Sequence, residues 1–155
     1  MAPSEADHTA RTIAAAFGNR PDALIEILHG VQAQIGWVPE AVVPALAEAL
    51  NLSRAEVHGV VTFYHGFRRE PAGRHVLKMC RAEACQAMGC EALVARAESG
   101  LGVSCGNTSP DGRVTLEPIY CLGLCATGPS AMLDGRVVGR LTPTKLDALL
   151  KEAGA

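Results

Sequence analysis

Four cysteines fall in two close pairs, Cys80 with Cys85 and Cys121 with Cys125, with 35 residues between the pairs. Each pair follows a strand-like run, His75 to Met79 before the first and Val114 to Ile119 before the second. If those strands lie side by side, their ends bring four thiolates to one point, and this requirement limits the folds open to the chain. Four thiolates suit a metal centre, and iron–sulfur clusters are characteristically held by four cysteines. Zinc sites usually place two to four residues between partners, so spacing alone leaves a zinc centre open beside an iron–sulfur one. A redox dithiol has two intervening residues, and the chain contains no such pair.

The chain reads as two parts, 1–70 and 71–155. In the first, the signals from Thr9 to Phe67 are helical. Pro21 is placed as a first-turn proline, Leu24, Ile27, Leu28, Val31 and Ile35 share one helical face, and Gly36 is the stop. Pro39 opens a further helical run through Val42, Val43, Leu46 and Leu50. Pro44 lacks the donor that a helix interior needs, so this helix starts later or bends. Ser53-Arg54-Ala55-Glu56 has the form of a capping box. A small helical bundle packed through leucine, valine and alanine is expected, with Trp37, Phe63, Tyr64 and Phe67 anchoring its core or an interface.

Arg68 to Arg74, with Pro71 and Gly73, reads as a linker. After it, the pattern predicts a strand over 75–79, a helix over 86–98 and a strand over 113–119. A hairpin of 131–133 with 136–141 turns about Asp134-Gly135. Thr142-Pro143 starts a last helix through Leu146, Leu149 and Leu150. This is an α/β layer domain of thioredoxin-like size.

Composition removes several function classes. The chain has 155 residues, 48% of them apolar and 19% charged, with a net charge of −2. That is globular, and neither the net charge nor any basic run suggests nucleic acid as a partner. Residues 1–17 lack the uninterrupted apolar core of a secretory signal, and the longest uncharged stretch, 118–133, is broken by glycine and proline. No direct membrane insertion is expected, and the cysteine usage suits a reducing cytoplasm. There is no glycine-rich dinucleotide fingerprint and no phosphate loop, hence no substrate site of its own. Such a chain is expected to be a non-catalytic subunit of something larger.

Within the cysteine segments, Gly123 permits a tight path between Cys121 and Cys125, and Leu122, Leu124, Ala126 and Met132 are placed to exclude water. The charge of Arg81 would favour reduction of a centre there, and Glu83 would oppose it if it faced the centre. Cys90 and Cys105 read as buried or half-buried small residues. The histidines, His8, His29, His58, His65 and His75, are scattered. Of these, His65 is the best placed for a partner contact.

Residues 24–150 resemble the thioredoxin-like 2Fe–2S ferredoxin subunits that accompany NAD-linked flavoproteins. The matching pieces are Gly36-Trp37-Val38-Pro39, Ser53-Arg54-Ala55-Glu56-Val57, Gly59-Val60-Val61-Thr62-Phe63-Tyr64-His65, the first cysteine loop and Cys121-Leu122-Gly123-Leu124-Cys125. The resemblance implies a thioredoxin-like 2Fe–2S domain over 71–155 preceded by the helical bundle of 1–70. It implies one 2Fe–2S cluster on Cys80, Cys85, Cys121 and Cys125, and a flavin-bearing, NAD-linked partner subunit. Within the family, the loop from Cys80 to Gln86 looks most like the gamma subunit of soluble NAD-dependent formate dehydrogenases, and Cys105 departs from the usual complex I sequence. That subfamily would add a molybdenum-containing, formate-oxidising subunit to the assembly. The equivalent subunits of respiratory complex I and of NAD-reducing hydrogenases are the alternatives, and a zinc-stabilised thioredoxin-like adaptor is the alternative of another class.

Overall fold

The computed structural model describes residues 3–154. The chain divides into two compact units between Pro71 and Ala72.

The first unit is helical, with α1 (Pro3–Ala16), α2 (Leu24–Ile35), α3 (Val42–Leu50) and α4 (Arg54–Phe63). Helix α1 begins earlier than the signal from Thr9 suggests. Its Ala6, Ala10 and Ala14 are buried at four-residue spacing, and such small residues let α1 pack closely on α2 and α3. Ile27, Leu28, Val31, Leu46, Leu50 and Val57 complete the core. Full burial of each large aliphatic side chain contributes about 1.5–3 kcal/mol. Pro44 is the third residue of α3, where its missing N–H would have had no helical partner, so the helix starts late and stays intact. The capping box forms: the Glu56 N–H donates to Ser53 Oγ and the Ser53 N–H to Glu56 Oε2. Phe67 is buried, but Phe63 is 73% exposed and Tyr64 is also at the surface, so these two do not anchor the core.

The second unit carries the sheet. Strands β1 (His75–Cys80), β2 (Val114–Ile119), β3 (Ala131–Leu133) and β4 (Arg136–Val138) lie in the order β2-β1-β3-β4. The β1–β2 pair is parallel and the others are antiparallel. A parallel pair needs a crossover, and it is made by α5 (Glu83–Ala87) and α6 (Cys90–Leu101). Helix α6 packs on β1, β2 and α7 (Pro143–Glu152) over a core of Leu77, Leu93, Val94, Leu116, Leu133 and Leu146. The α/β layer expected for this part is what the chain forms.

Two predicted elements differ in extent. The helix expected over 86–98 is broken at Met88-Gly89, because Gly89 adopts φ +81°, a left-handed conformation that no helix interior accepts. Cys85 therefore sits in a short helix of its own and not in a loop. The last strand stops at Val138 and not at Leu141. Arg140 turns left-handed, and the N–H groups of Arg140 and Leu141 donate to the carbonyls of Thr127 and Pro129. The Asp134-Gly135 hairpin forms as expected, with φ +49° and +86° at its two central residues. Among the described residues, no helix is long and apolar enough to cross a membrane.

Candidate metal centre

The parallel register sets Cys80 opposite Ile119, so the two strands end together and both cysteine segments leave the sheet at the same edge. The strand ends are fastened there. The Arg81 N–H donates to the Ile119 carbonyl at 2.8 Å, and the Cys80 N–H donates to the Ser130 carbonyl at 3.0 Å. Cys80 and Cys85 are each 2% exposed, whereas Cys121 and Cys125 are at the surface.

The four cysteines meet as two pairs joined through a backbone N–H. Cys121 Sγ and Cys125 Sγ lie 3.7 Å apart, and the Gly123 N–H donates to Cys121 Sγ at 3.3 Å. The Cys121 N–H points at the Cys80 sulfur, which in turn meets the Cys85 thiol. Burial pushes the Cys80 thiol up, but the N–H groups of Ala82 and Cys121, the Cys85 thiol and the Ser130 hydroxyl together outweigh it. Its pKa falls below the ordinary thiol value. Cys125 is pushed up, first by its hydrogen bond with Cys121 and then by that neighbour's charge. Cys121 itself has φ +106°, rare for a residue with a Cβ. Such a conformation costs about 1–3 kcal/mol and concentrates at functional sites. Here it accompanies an N–H aimed at one cysteine and a thiol beside another.

This donor set fits a 2Fe–2S group better than a single ion. Two thiolates on one tetrahedral metal, with bonds of about 2.3 Å, sit about 3.8 Å apart, close to the Cys121–Cys125 separation of 3.7 Å. The thiols are gathered as two pairs, Cys80 with Cys85 and Cys121 with Cys125. A 2Fe–2S cluster takes two protein ligands on each iron, whereas a structural zinc takes all four on one.

Several side chains differ from the sequence expectation. Arg81 is not a free cation, because its Nε and Nη2 donate to the two carboxylate oxygens of Glu91 at 2.9 and 2.7 Å. Glu83 opens α5 and is exposed. Leu122 packs beside the buried cysteines with Ala82 and Ile119, but Ala126 is exposed, so water is excluded from the Cys80–Cys85 side alone. Cys90 is buried against Cys80 and Cys85, and burial foremost lifts its thiol to about 11. Cys105 is half-buried and is likewise pushed up by burial. His65 is exposed.

Two residues escaped the sequence reading. Ser130 is buried, with its hydroxyl 3.6 Å from Cys85 Sγ. Its only sequence signal is its place after Gly128-Pro129, just beyond the second cysteine pair. Glu91 follows Cys90, and nothing in the sequence ties it to Arg81 ten residues earlier, since α5 and the break at Gly89 intervene.

Known proteins resemble this chain in sequence and in fold. The pattern of the family described as thioredoxin-like 2Fe–2S ferredoxin matches residues 10–154. A subunit of NADH-quinone oxidoreductase from Pseudomonas aeruginosa is 40% identical over 129 residues, covering 83% of this chain and 78% of the relative. The corresponding protein from Escherichia coli K12 is 41% identical over 129 residues, with the same shares of each. A crystal structure of an NAD+-reducing NiFe hydrogenase in the H2-reduced state has a TM-score of 0.72 at 24% identity, over 84% of this chain. This chain spans only 22% of the hydrogenase chain, and the likeness there is one of fold.

Proposed function

The chain belongs to the thioredoxin-like 2Fe–2S ferredoxin family, whose cofactor is one 2Fe–2S cluster, and from that premise we propose that it is a non-catalytic electron-transfer subunit of an NAD-linked flavoprotein complex. Cys80, Cys85, Cys121 and Cys125 are the ligands in this reading. The observation that carries it is the continuous contact from Cys125 through Cys121 and Cys80 to Cys85, at the shared end of two parallel strands. When bound, the cluster supplies a one-electron store, anionic when oxidised and more so when reduced. The chain's own part is to hold that charge. Cys80 and Cys85 bury one side, and the N–H groups of Ala82, Cys121 and Gly123 together with the Ser130 hydroxyl donate to sulfur. Residues 71–155 are the cluster domain in this reading, and residues 1–70 a helical domain preceding it.

The relatives that are subunits of NADH-quinone oxidoreductase support a parent complex of that type, with a flavin-bearing protein as the immediate partner. A second reading, NAD-dependent formate dehydrogenase with a molybdenum-containing subunit, is supported by the Cys80–Gln86 loop and by Cys105. Metal analysis and EPR on anaerobically purified protein test the carrier. About two irons per chain and a single-spin signal after reduction are expected. A colourless protein holding one zinc would overturn the carrier and restore the adaptor reading. Affinity capture from native cells then tests the parent. A flavoprotein that co-purifies with quinone-reducing membrane proteins supports the first type, one that co-purifies with a molybdenum protein supports the second, and no flavoprotein at all would sink both.

A further inference from the structure

Arg81 is tied to every segment that bears one of the four cysteines or leads to it. Its N–H reaches Ile119, two residues before Cys121, and its carbonyl accepts from Gln86 Nε2, next to Cys85, at 2.8 Å. Its own backbone follows Cys80. The guanidinium then closes fork-on-fork onto Glu91 at the start of α6, and the Cys90 thiol donates to the same carboxylate at 3.8 Å. The Cys105 thiol also lies within reach of the guanidinium. Bidentate pairs of this kind fix geometry as well as charge.

We propose that Glu91 is a positioning residue for electron transfer: it holds Arg81 as a neutral pair beside the buried Cys80–Cys85 side and thereby lowers the reduction potential of the centre. The proposal rests on the four-cysteine 2Fe–2S reading above. Reduction adds negative charge, so an uncompensated cation at this edge favours the reduced form, and an uncompensated anion disfavours it. Paired, the two charges leave a dipole whose field falls off faster than that of either charge alone. Glu83 lies in the first turn of α5 with its side chain exposed to solvent, and the Arg81 guanidinium is held by Glu91 and not by Glu83.

Redox titration followed by EPR separates this from a merely structural clamp. Glu91→Gln keeps the shape and leaves Arg81 charged, so the potential shifts upward. Arg81→Gln leaves Glu91 charged, and the potential shifts downward. The double variant returns close to wild type, and Glu83→Gln moves the potential less than Glu91→Gln does. Both single shifts shrink in 1 M salt, where the Debye length is about 3 Å, because the pair is half-exposed. Circular dichroism and iron content of each variant identify any that fails to fold or to load. Shifts of the same sign in both single variants, no shift in either, or loss of iron in Glu91→Gln and the double variant alike would overturn the proposal while leaving the carrier intact. A wild-type protein without a 2Fe–2S signal would instead remove the carrier reading and the proposal with it.

Discussion

Cys121 Sγ and Cys125 Sγ stand 3.7 Å apart at the surface, while their counterparts Cys80 and Cys85 are buried. The proposed ligation by these four makes a sharp prediction about the remaining thiols. Cys121→Ser is expected to lose most of the bound iron and the visible spectrum. Cys105→Ser, half-buried and held by its N–H on Glu98 Oε1 at 2.8 Å, is expected to keep both. Iron retained in the first variant, or lost in the second, would show that the ligand set is different.

The first two strands, the hairpin turn and the capping box were legible because each is written locally: short strand-like runs, Asp134-Gly135, Ser53 with Glu56. The meeting of the two cysteine segments was legible because both follow strand runs, and a parallel pair needs only a crossover of sufficient length. The exposure of Phe63 and Tyr64 was not, since an aromatic at helical spacing carries no mark of which face the bundle will bury. Nor was the Arg81–Glu91 pair. It depends on the left-handed Gly89 breaking one helical run into two, and glycine inside a helical pattern is an ambiguous signal. Ser130 was hidden for a similar reason: its hydroxyl reaches Cys85 across 45 residues, a relation that only the sheet order creates.

Asp134 clasps the start of β1. Its Oδ2 lies 2.7 Å from His75 Nδ1, and its Oδ1 accepts from the Val76 N–H at 2.8 Å. Partial burial pushes the carboxyl up, but these hydrogen bonds outweigh it and the pKa falls below the ordinary aspartate value. A depressed folded pKa stabilises above the unfolded value of about 3.9, and that contribution is lost as pH falls through the folded pKa. Asp134→Asn keeps a residue that tolerates the left-handed turn. It should cost at most about 1 kcal/mol at neutral pH, given the screening at a half-exposed site. Urea denaturation at a series of pH values checks this: the gap to wild type should close below about pH 4. A gap constant with pH would assign the effect to the turn instead.

Gly139 approaches the second cysteine segment closely. A Cβ placed there would lie 2.7 Å from Thr127 Oγ1 and 3.1 Å from the Thr127 carbonyl oxygen. Gly139→Ala must therefore displace Thr127, two residues beyond Cys125, and disturb the Arg140 N–H bond to the Thr127 carbonyl. Overpacking of this kind costs about 1–3 kcal/mol. A lower thermal midpoint together with faster iron release to a chelator is expected, and unchanged release would mean that the loop yields without moving Cys125.

Ser130 meets the cysteines through both its carbonyl and its hydroxyl, and one substitution separates the two groups. Its carbonyl accepts from the Cys80 N–H, and its hydroxyl lies 3.6 Å from Cys85 Sγ. Against a thiolate the hydroxyl must donate, and donors to ligand sulfur favour the more negative, reduced form of a centre. Ser130→Ala deletes the hydroxyl and keeps the carbonyl, so the strand end stays fastened. The small buried gap left behind is apolar on its alanine side. Iron content should be preserved while the reduction potential falls, as read by EPR-monitored titration. A potential equal to that of wild type would show that the Ser130 hydroxyl donates elsewhere, and a rise would mean that the hydroxyl disfavours the reduced form.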